Sequence, residues 1–215
     1  LTIDPTVSCP VWVPRSAYST VENSEMRLQE ALSYWMQQLQ LAEQVTAREE
    51  PGIGDMIRLR MKGMDTDLSP NDVGVGVSQA MPVLAAVLMA KPGDLVILEQ
   101  PELHLHPNAQ LALADFFLAA TRSGRRILIE SHSEHFLSRI RLRSVETAGM
   151  DNGWISENVG FIFAEPELEG SDTGVTFRQV EVTTTGDIDD WPVGFFDQGP
   201  RESRRIFIRQ QELDS

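Results

Sequence analysis

Leu95-Val96-Ile97-Leu98-Glu99-Gln100-Pro101-Glu102-Leu103-His104-Leu105-His106-Pro107 is the stretch on which the fold turns. Its first four residues form an unbroken apolar run of strand length, ended by a carboxylate, an amide and a proline. A second run, Arg126-Ile127-Leu128-Ile129, is closed in the same way by Glu130-Ser131-His132-Ser133-Glu134-His135. Between them, Pro107 to Thr121 has helical length and an apolar face. Strand, helix and strand at this spacing predict a parallel α/β unit with buried strands. Ser133 to Arg143 reads as a further helix with Ser133 as its N-cap. α/β sheets bind ligands beyond the carboxyl ends of their strands, and a carboxylate placed there suits Mg²⁺. Two adjacent strands would therefore deliver Glu99 and His132 to one crevice.

Upstream, Asp72-Val73-Gly74-Val75-Gly76-Val77-Ser78-Gln79 runs into an apolar helix from about Ala80. Glycines there let backbone approach a ligand, and a helix N-terminus with a serine hydroxyl offers donors to phosphate oxygens. Taken alone, the same segment reads more readily as a plain helix entry. Farther back, Leu28, Leu32, Trp35, Leu39 and Ala42 recur at helical spacing and predict a core-facing helix over 22–44. Val45 to Glu50 and Met56 to Met61 flank Pro51-Gly52-Ile53-Gly54 as a hairpin. Residues 1–21, with Pro5, Pro10 and Pro14, read as an irregular or edge-strand entry.

Downstream, Val159 to Ala164 and Val175 to Val182 read as a second hairpin across an acidic, glycine-containing loop. The segment Asp189 to Asp197, with Trp191, Phe195 and Phe196, is too aromatic for a solvated tail and is expected to dock. Arg201 to Ser215 reads as peripheral, frayed or helical. The expected organisation is 1–67 as a helical and hairpin segment, 68–145 as the chemical core, and 146–215 as an acidic extension.

Composition limits what such a protein can do. Its 215 residues are 41% hydrophobic and 23% charged, which excludes wholesale disorder. Eighteen basic against 32 acidic side chains give a net charge of −14, which argues against a general electrostatic grip on nucleic acid or anionic lipid. Most of the excess lies late: residues 144–215 hold 5 basic and 15 acidic groups. The single cysteine, Cys9, can form neither an internal disulfide nor a thiolate metal cage, so a reducing compartment is favoured. The apolar run from Ala80 to Ala90 is too short to span a bilayer and the N-terminus shows no signal pattern, so a cytoplasmic location is expected.

Together the three polar-ended segments resemble the C-terminal lobe of RecF- and SMC-like ABC ATPases, in the branch of bacterial AAA-family ATPases that ends in a short domain of unknown function. The resemblance runs from about Leu68 to Asp197, including the Trp-Pro-x-Gly-Phe-Phe-Asp ending. It implies a partly parallel sheet flanked by helices, a small C-terminal hairpin extension, and ATP and Mg²⁺ as ligands. By resemblance, Gly74, Gly76, Ser78 and Gln79 look like the signature motif that meets the γ-phosphate held by the opposite subunit. Leu95 to Glu99 look like a Walker B strand with Glu99 supporting Mg²⁺, Pro101 to Pro107 like the D-loop, and His132 like the switch histidine. Gln100 stands where many relatives place the glutamate that polarises water; an amide can orient water but cannot act as a carboxylate base.

A P-loop needs Gly-Lys followed by Ser or Thr. The two lysines, Lys62 and Lys91, follow Met61 and Ala90, so there is no such pair. The resemblance therefore implies a composite ATPase site, completed by a P-loop from a missing lobe or a partner polypeptide, in a homodimer or head-to-tail assembly. Two other readings stand beside it: a non-hydrolysing module clamped by nucleotide, which Gln100 favours, and a Zn²⁺ hydrolase using Glu102, His104, His106, His132 or His135. Arg122, Arg125, Arg126, Arg139, Arg141 and Arg143 could contact nucleic acid, but salt bridges to the acidic C-terminal third are expected of them.

Overall fold

The computed structural model describes residues 8–12, 23–50, 52, 54–149, 153–167, 174–188, 191–192, 195–196 and 198–213. They fall into two compact units, Leu1–Ile140 and Arg141–Ser215.

In the first unit, β1 (Ser8–Trp12) pairs antiparallel with β2 (Asn23–Arg27), which leads directly into helix α1 (Leu28–Gln38). The helix is shorter than the expected 22–44 because its apolar repeat begins only at Leu28, and 23–27 join β1 instead. At its start the Glu30 carboxylate accepts from the Arg27 amide at 3.3 Å. Past Leu39 the chain turns through Gln40 at φ 58° and returns the Leu41 amide to the Met36 carbonyl at 2.9 Å. Then β3 (Gln44–Glu50) and β4 (Gly54–Arg60) form the expected hairpin, extended by β5 (Asp67–Leu68). The Ser33 hydroxyl of α1 accepts from the Val45 amide at 3.0 Å, tying this hairpin to the helix.

Helix α2 (Val75–Met89), strand β6 (Leu95–Glu99), helix α3 (Pro107–Arg122), strand β7 (Arg126–Glu130) and helix α4 (Glu134–Thr147) follow. Leu28, Leu32 and Met36 of α1, Leu84 and Val87 of α2, and Leu113 and Phe116 of α3 bury a shared core. Trp35 meets Phe116 edge-on with ring centroids 4.9 Å apart. Arg125 is itself buried and closes the C-terminal end of α2. Its Nε donates to the Ala90 carbonyl at 2.8 Å, Nη2 to the Leu88 carbonyl at 3.3 Å, and Nη1 to the Ser123 hydroxyl. A cation on the last carbonyls of a helix satisfies acceptors that the helix leaves open and complements its dipole.

β6 and β7 pair parallel in the register Leu95↔Arg126 to Glu99↔Glu130, as expected of a strand–helix–strand unit. Burial of both faces does not hold. Val96, Leu98, Ile127 and Ile129 pack on the core, whereas Leu95, Ile97 and Leu128 are 52, 62 and 50% exposed. A four-residue apolar run is what a strand covered on both sides requires, and here only one side is covered by the described residues.

The second unit contains α5 (Trp154–Asn158), the antiparallel hairpin β8 (Gly160–Glu167) and β9 (Gly174–Glu181), and α6 (Gln198–Leu213). Buried Phe163 of β8 packs edge-on against Phe195 and tilted against Trp191, with centroids 4.7 and 6.3 Å away, and the Trp191 indole donates to the Phe195 carbonyl at 2.6 Å. These two aromatics dock as expected, while 189–190, 193–194 and 197 lie outside the described residues, as do 1–7 and 13–22 of the expected entry segment. Arg141 donates to the Gly186 carbonyl at 2.7 Å and the Ser144 hydroxyl to that of Thr183 at 2.7 Å. α6 is helical and exposed at 198–199 and 201–213. Of the six clustered arginines, Arg143 pairs with Glu146 at 2.6 Å. Arg139 instead meets Asp115 at 3.5 Å, and Arg125 and Arg126 donate to main-chain carbonyls. The Arg143–Glu146 pair is a bridge into residues 144–215, as expected, whereas Arg139 takes its carboxylate from α3. Among the described residues no helix is long and apolar enough to cross a membrane.

Candidate functional site

The parallel register sets Glu99 and Glu130 side by side at the carboxyl ends of β6 and β7, both exposed. The ladder continues one residue further, since the Gln100 amide donates to the Glu130 carbonyl at 2.9 Å. Gln100 then adopts φ 43°, a left-handed conformation that costs a non-glycine residue on the order of 1 kcal/mol. That twist turns the chain out of the sheet at Pro101 and into a tight loop, in which Leu103 bonds back to Gln100 and Leu105 to Glu102 at 3.2 and 3.0 Å. His104 is also left-handed, at φ 62°.

Two side chains lock this loop to the one after β7. Glu102, 6% exposed, accepts from the His132 amide through Oε1 at 3.0 Å. Gln110, on the first turn of α3, donates to the Leu105 carbonyl at 2.9 Å and accepts from the Ser133 hydroxyl at 2.6 Å. Ser133 in turn accepts from the Phe136 amide at 3.3 Å, the N-cap role expected of it. His132 projects outward, with Nε2 3.2 Å from Glu130 Oε1. Thus Gln100, Glu102, Glu130 and His132 adjoin one another at the strand ends, with Glu99 next to Glu130.

The Gly74–Gln79 segment adjoins the far side of the same loop. A Cβ on Gly76 would sit 2.6 Å from the His104 carbonyl oxygen and 3.2 Å from Leu105 Cδ2. Gly76 is thus buried against this chain's own backbone rather than held open for a ligand. A Cβ on Gly74, by contrast, would meet nothing within 4 Å. The Ser78 hydroxyl donates to the Val75 carbonyl at 3.0 Å, and Gln79 is exposed.

His106 caps α3, its Nδ1 accepting from the Asn108 amide at 3.3 Å. No three His, Cys, Asp or Glu side chains converge as a metal cage among the described residues, so a ligand set for the Zn²⁺ reading is not assembled there. Sequence reading missed Gln110 altogether and saw Glu102 only as a member of the D-loop-like segment or a possible metal ligand.

Residues 30–138 match the family described as "AAA domain, putative AbiEii toxin, Type IV TA system". The chain belongs to this AAA-domain family. The match runs from α1 into α4, so the AAA domain contains Gly74–Gln79, both strand ends and the two loops between them, while the ending at Trp191 lies beyond it. No curated protein is significantly similar to the chain. Among solved structures, it is similar at 11% identity to one from work on ATP-driven dimerization and DNA-stimulated activation of SMC ATPases. That likeness has a TM-score of 0.46 and covers 70% of this chain and 83% of the other. It is similar, again at 11% identity, to an SmcHead bound to the C-winged helix domain of ScpA. The TM-score is 0.49, with 70% of this chain and 42% of the other covered.

Proposed function

We propose that this AAA domain supplies the water- and γ-phosphate-facing half of an ATP-hydrolysing site, completed by a P-loop from another segment or polypeptide. The observation that carries the reading is the strand-end group: Glu99 beside Glu130, Gln100 turned out of the ladder at φ 43°, and His132 two residues beyond β7. An oxygen donor at the end of a parallel strand fits Mg²⁺, which is commonly bound by one or two carboxylates together with phosphate oxygens and water rather than by an all-protein cage. Glu99 is the residue that would hold it, and the bound ion neutralises charge on the phosphates.

The remaining work falls to side chains. The Gln100 amide oxygen accepts a hydrogen bond from the attacking water and orients it in line. His132 donates an imidazole N–H to the γ-phosphate, exchanging its contact with Glu130 for one with the nucleotide. Ser78 meets the γ-phosphate of an opposed subunit in a head-to-tail dimer. The apolar face formed by Leu95, Ile97 and Leu128 supports a second lobe that covers the sheet, since parallel sheets are covered on both sides.

The test is Mg²⁺-dependent ATP hydrolysis by the protein carrying both this chain and a P-loop. Glu99→Ala and His132→Ala should each lower turnover ~100-fold or more; unchanged turnover in both refutes the assignment. Gln100 favours a second reading, a nucleotide-clamped module that binds without turning over. Gln100→Glu separates the two. A clamp gains activity from an inert parent, whereas an enzyme that uses the amide is active before the change.

A further inference from the structure

Glu102 has no role in the chemistry above, yet it is the most completely buried carboxylate at the strand ends. It is 6% exposed, Oε1 accepts from the His132 amide at 3.0 Å, and Oε2 is buried with no hydrogen-bond partner among the described residues. A buried acid with one oxygen unserved is costly, and hydrogen-bonding one main-chain amide recovers only part of that cost. Stability alone is better served at such a place by an apolar side chain. What this carboxylate does, and an apolar one cannot, is join residues 30 positions apart in the chain, across the two loops that carry Gln100 and His132.

We propose that Glu102 is a positioning residue for His132: its Oε1 fixes the height of the His132 main chain above the sheet, and through it the reach of the imidazole. The inference rests on the ATPase reading for its catalytic consequence, but its structural content is independent of it. His132 lies in a three-residue link, 131–133, between β7 and α4. Ser133 is held by Gln110 and by the Phe136 amide. Ser131 donates nothing across to the Glu102 loop but accepts from the Ser133 amide at 3.0 Å, within the link itself. Glu102 is thus the cross-loop hold on the residue that bears the imidazole, while Gln110 holds its neighbour. On the side-chain end, Glu130 meets Nε2 at 3.2 Å, but both groups are largely exposed, so that contact can open when a ligand arrives. The buried hold persists while the exposed one exchanges.

Reach, not charge, is the property this role needs. Glu102→Gln keeps the length and an oxygen that accepts, and removes the charge. Glu102→Asp keeps the charge and withdraws the acceptor by one methylene. The experiment compares both in the protein carrying the P-loop, with amide hydrogen exchange at His132 as the structural readout and kcat and KM for ATP as the catalytic one. The expected result is exchange at His132 close to wild type in Glu102→Gln and clearly faster in Glu102→Asp. In parallel kcat falls ~100-fold in Glu102→Asp with KM little changed, as a displacement of about 1 Å does, and stays within about threefold in Glu102→Gln. The reverse order, an active Asp variant and an inactive Gln variant, shows that charge is what counts and overturns the proposal. Equal exchange at His132 in all three proteins also overturns it. If the wild-type protein neither binds nor hydrolyses ATP, the ATPase reading fails alone, and the exchange result still decides whether Glu102 holds His132.

Discussion

Gly76→Ala sets two effects of opposite sign against each other. Gly76 is the second residue of α2, and replacing a helical glycine by alanine ordinarily stabilises by about 0.5–1 kcal/mol. Against that, the new methyl would lie 2.6 Å from the His104 carbonyl oxygen. Even close C–H···O contacts keep carbon and oxygen ~3.3 Å apart, so about 0.7 Å must be found. The obstructing atom is backbone in a loop already bent at φ 62° and tied to Glu102, which is a poor place to find it. Overpacking costs of roughly 1–3 kcal/mol then outweigh the propensity gain. At the middle of both ranges a net loss of about 1 kcal/mol follows, which lowers the melting temperature by roughly 2–4 °C for a chain of this size.

The control is built into the same chain. Gly199 is the second residue of α6, and a Cβ there meets nothing within 4 Å. Gly199→Ala should therefore be neutral or slightly stabilising. Thermal denaturation followed by far-ultraviolet circular dichroism compares the two variants with the parent. A Gly76→Ala protein that melts with or above the parent refutes the close approach of α2 to the His104 loop, and with it the reason offered for a glycine at this position.

Other outcomes follow from the same geometry. Arg125→Met removes the buried cap on α2 and leaves the Leu88 and Ala90 carbonyls without its guanidinium; urea denaturation should show a loss of roughly 2–3 kcal/mol, and a loss under about 0.5 kcal/mol would remove the capping role. Ile97→Lys falls on the exposed sheet face and should change the stability of the chain by no more than ~0.5 kcal/mol, while preventing the P-loop segment from completing an active ATPase; normal turnover would show that this face stays uncovered. Phe163→Ala should cost about 3 kcal/mol and speed amide exchange through β8 and β9, because Phe163 is the ring that Trp191 and Phe195 pack upon.

Much of the fold was legible because its signals are local. The apolar runs at 95–98 and 126–129, the glycine-rich break at 51–54 and the N-cap at Ser133 each state an element within a few residues, and each element is present. What was not legible depends on distant partners. Nothing in Asn23 to Arg27 distinguishes a helical first turn from a strand until β1 arrives to pair with it. The identical reading of Leu95 to Leu98 serves a strand covered on both faces and one whose second cover lies elsewhere, so exposure of Ile97 could not be foreseen. Glu102 shows the same limit at the site. Beside His104 and His106 it imitates a metal ligand, and only the fold reveals that its partner is the His132 amide. Gly76 reads as an opening for phosphate, whereas the space it leaves is taken by this chain's own His104 carbonyl.

These placements bear on what a completing lobe has to contribute. Gln100 is fixed by a backbone bond to Glu130, the His132 main chain by Glu102, Ser133 by Gln110, and the Gly76 turn by contact with His104; every one of these ties lies within residues 74–133. The loops are anchored in turn to α2 and α3, whose cores are buried against α1. Groups held this way need no partner to be arranged, and electrostatic catalysis is strongest where donors and acceptors are set before the charge develops. On the proposed composite site, a P-loop arriving at this surface would have to bring phosphate and cover the face of Leu95, Ile97 and Leu128, not fold the strand ends. The consequence is measurable without any nucleotide. Amide protection at Gln100 and His132 should already be present in the chain by itself and change little on assembly, whereas protection that appears only on assembly would mean the strand-end group is made by the partner rather than by this sequence.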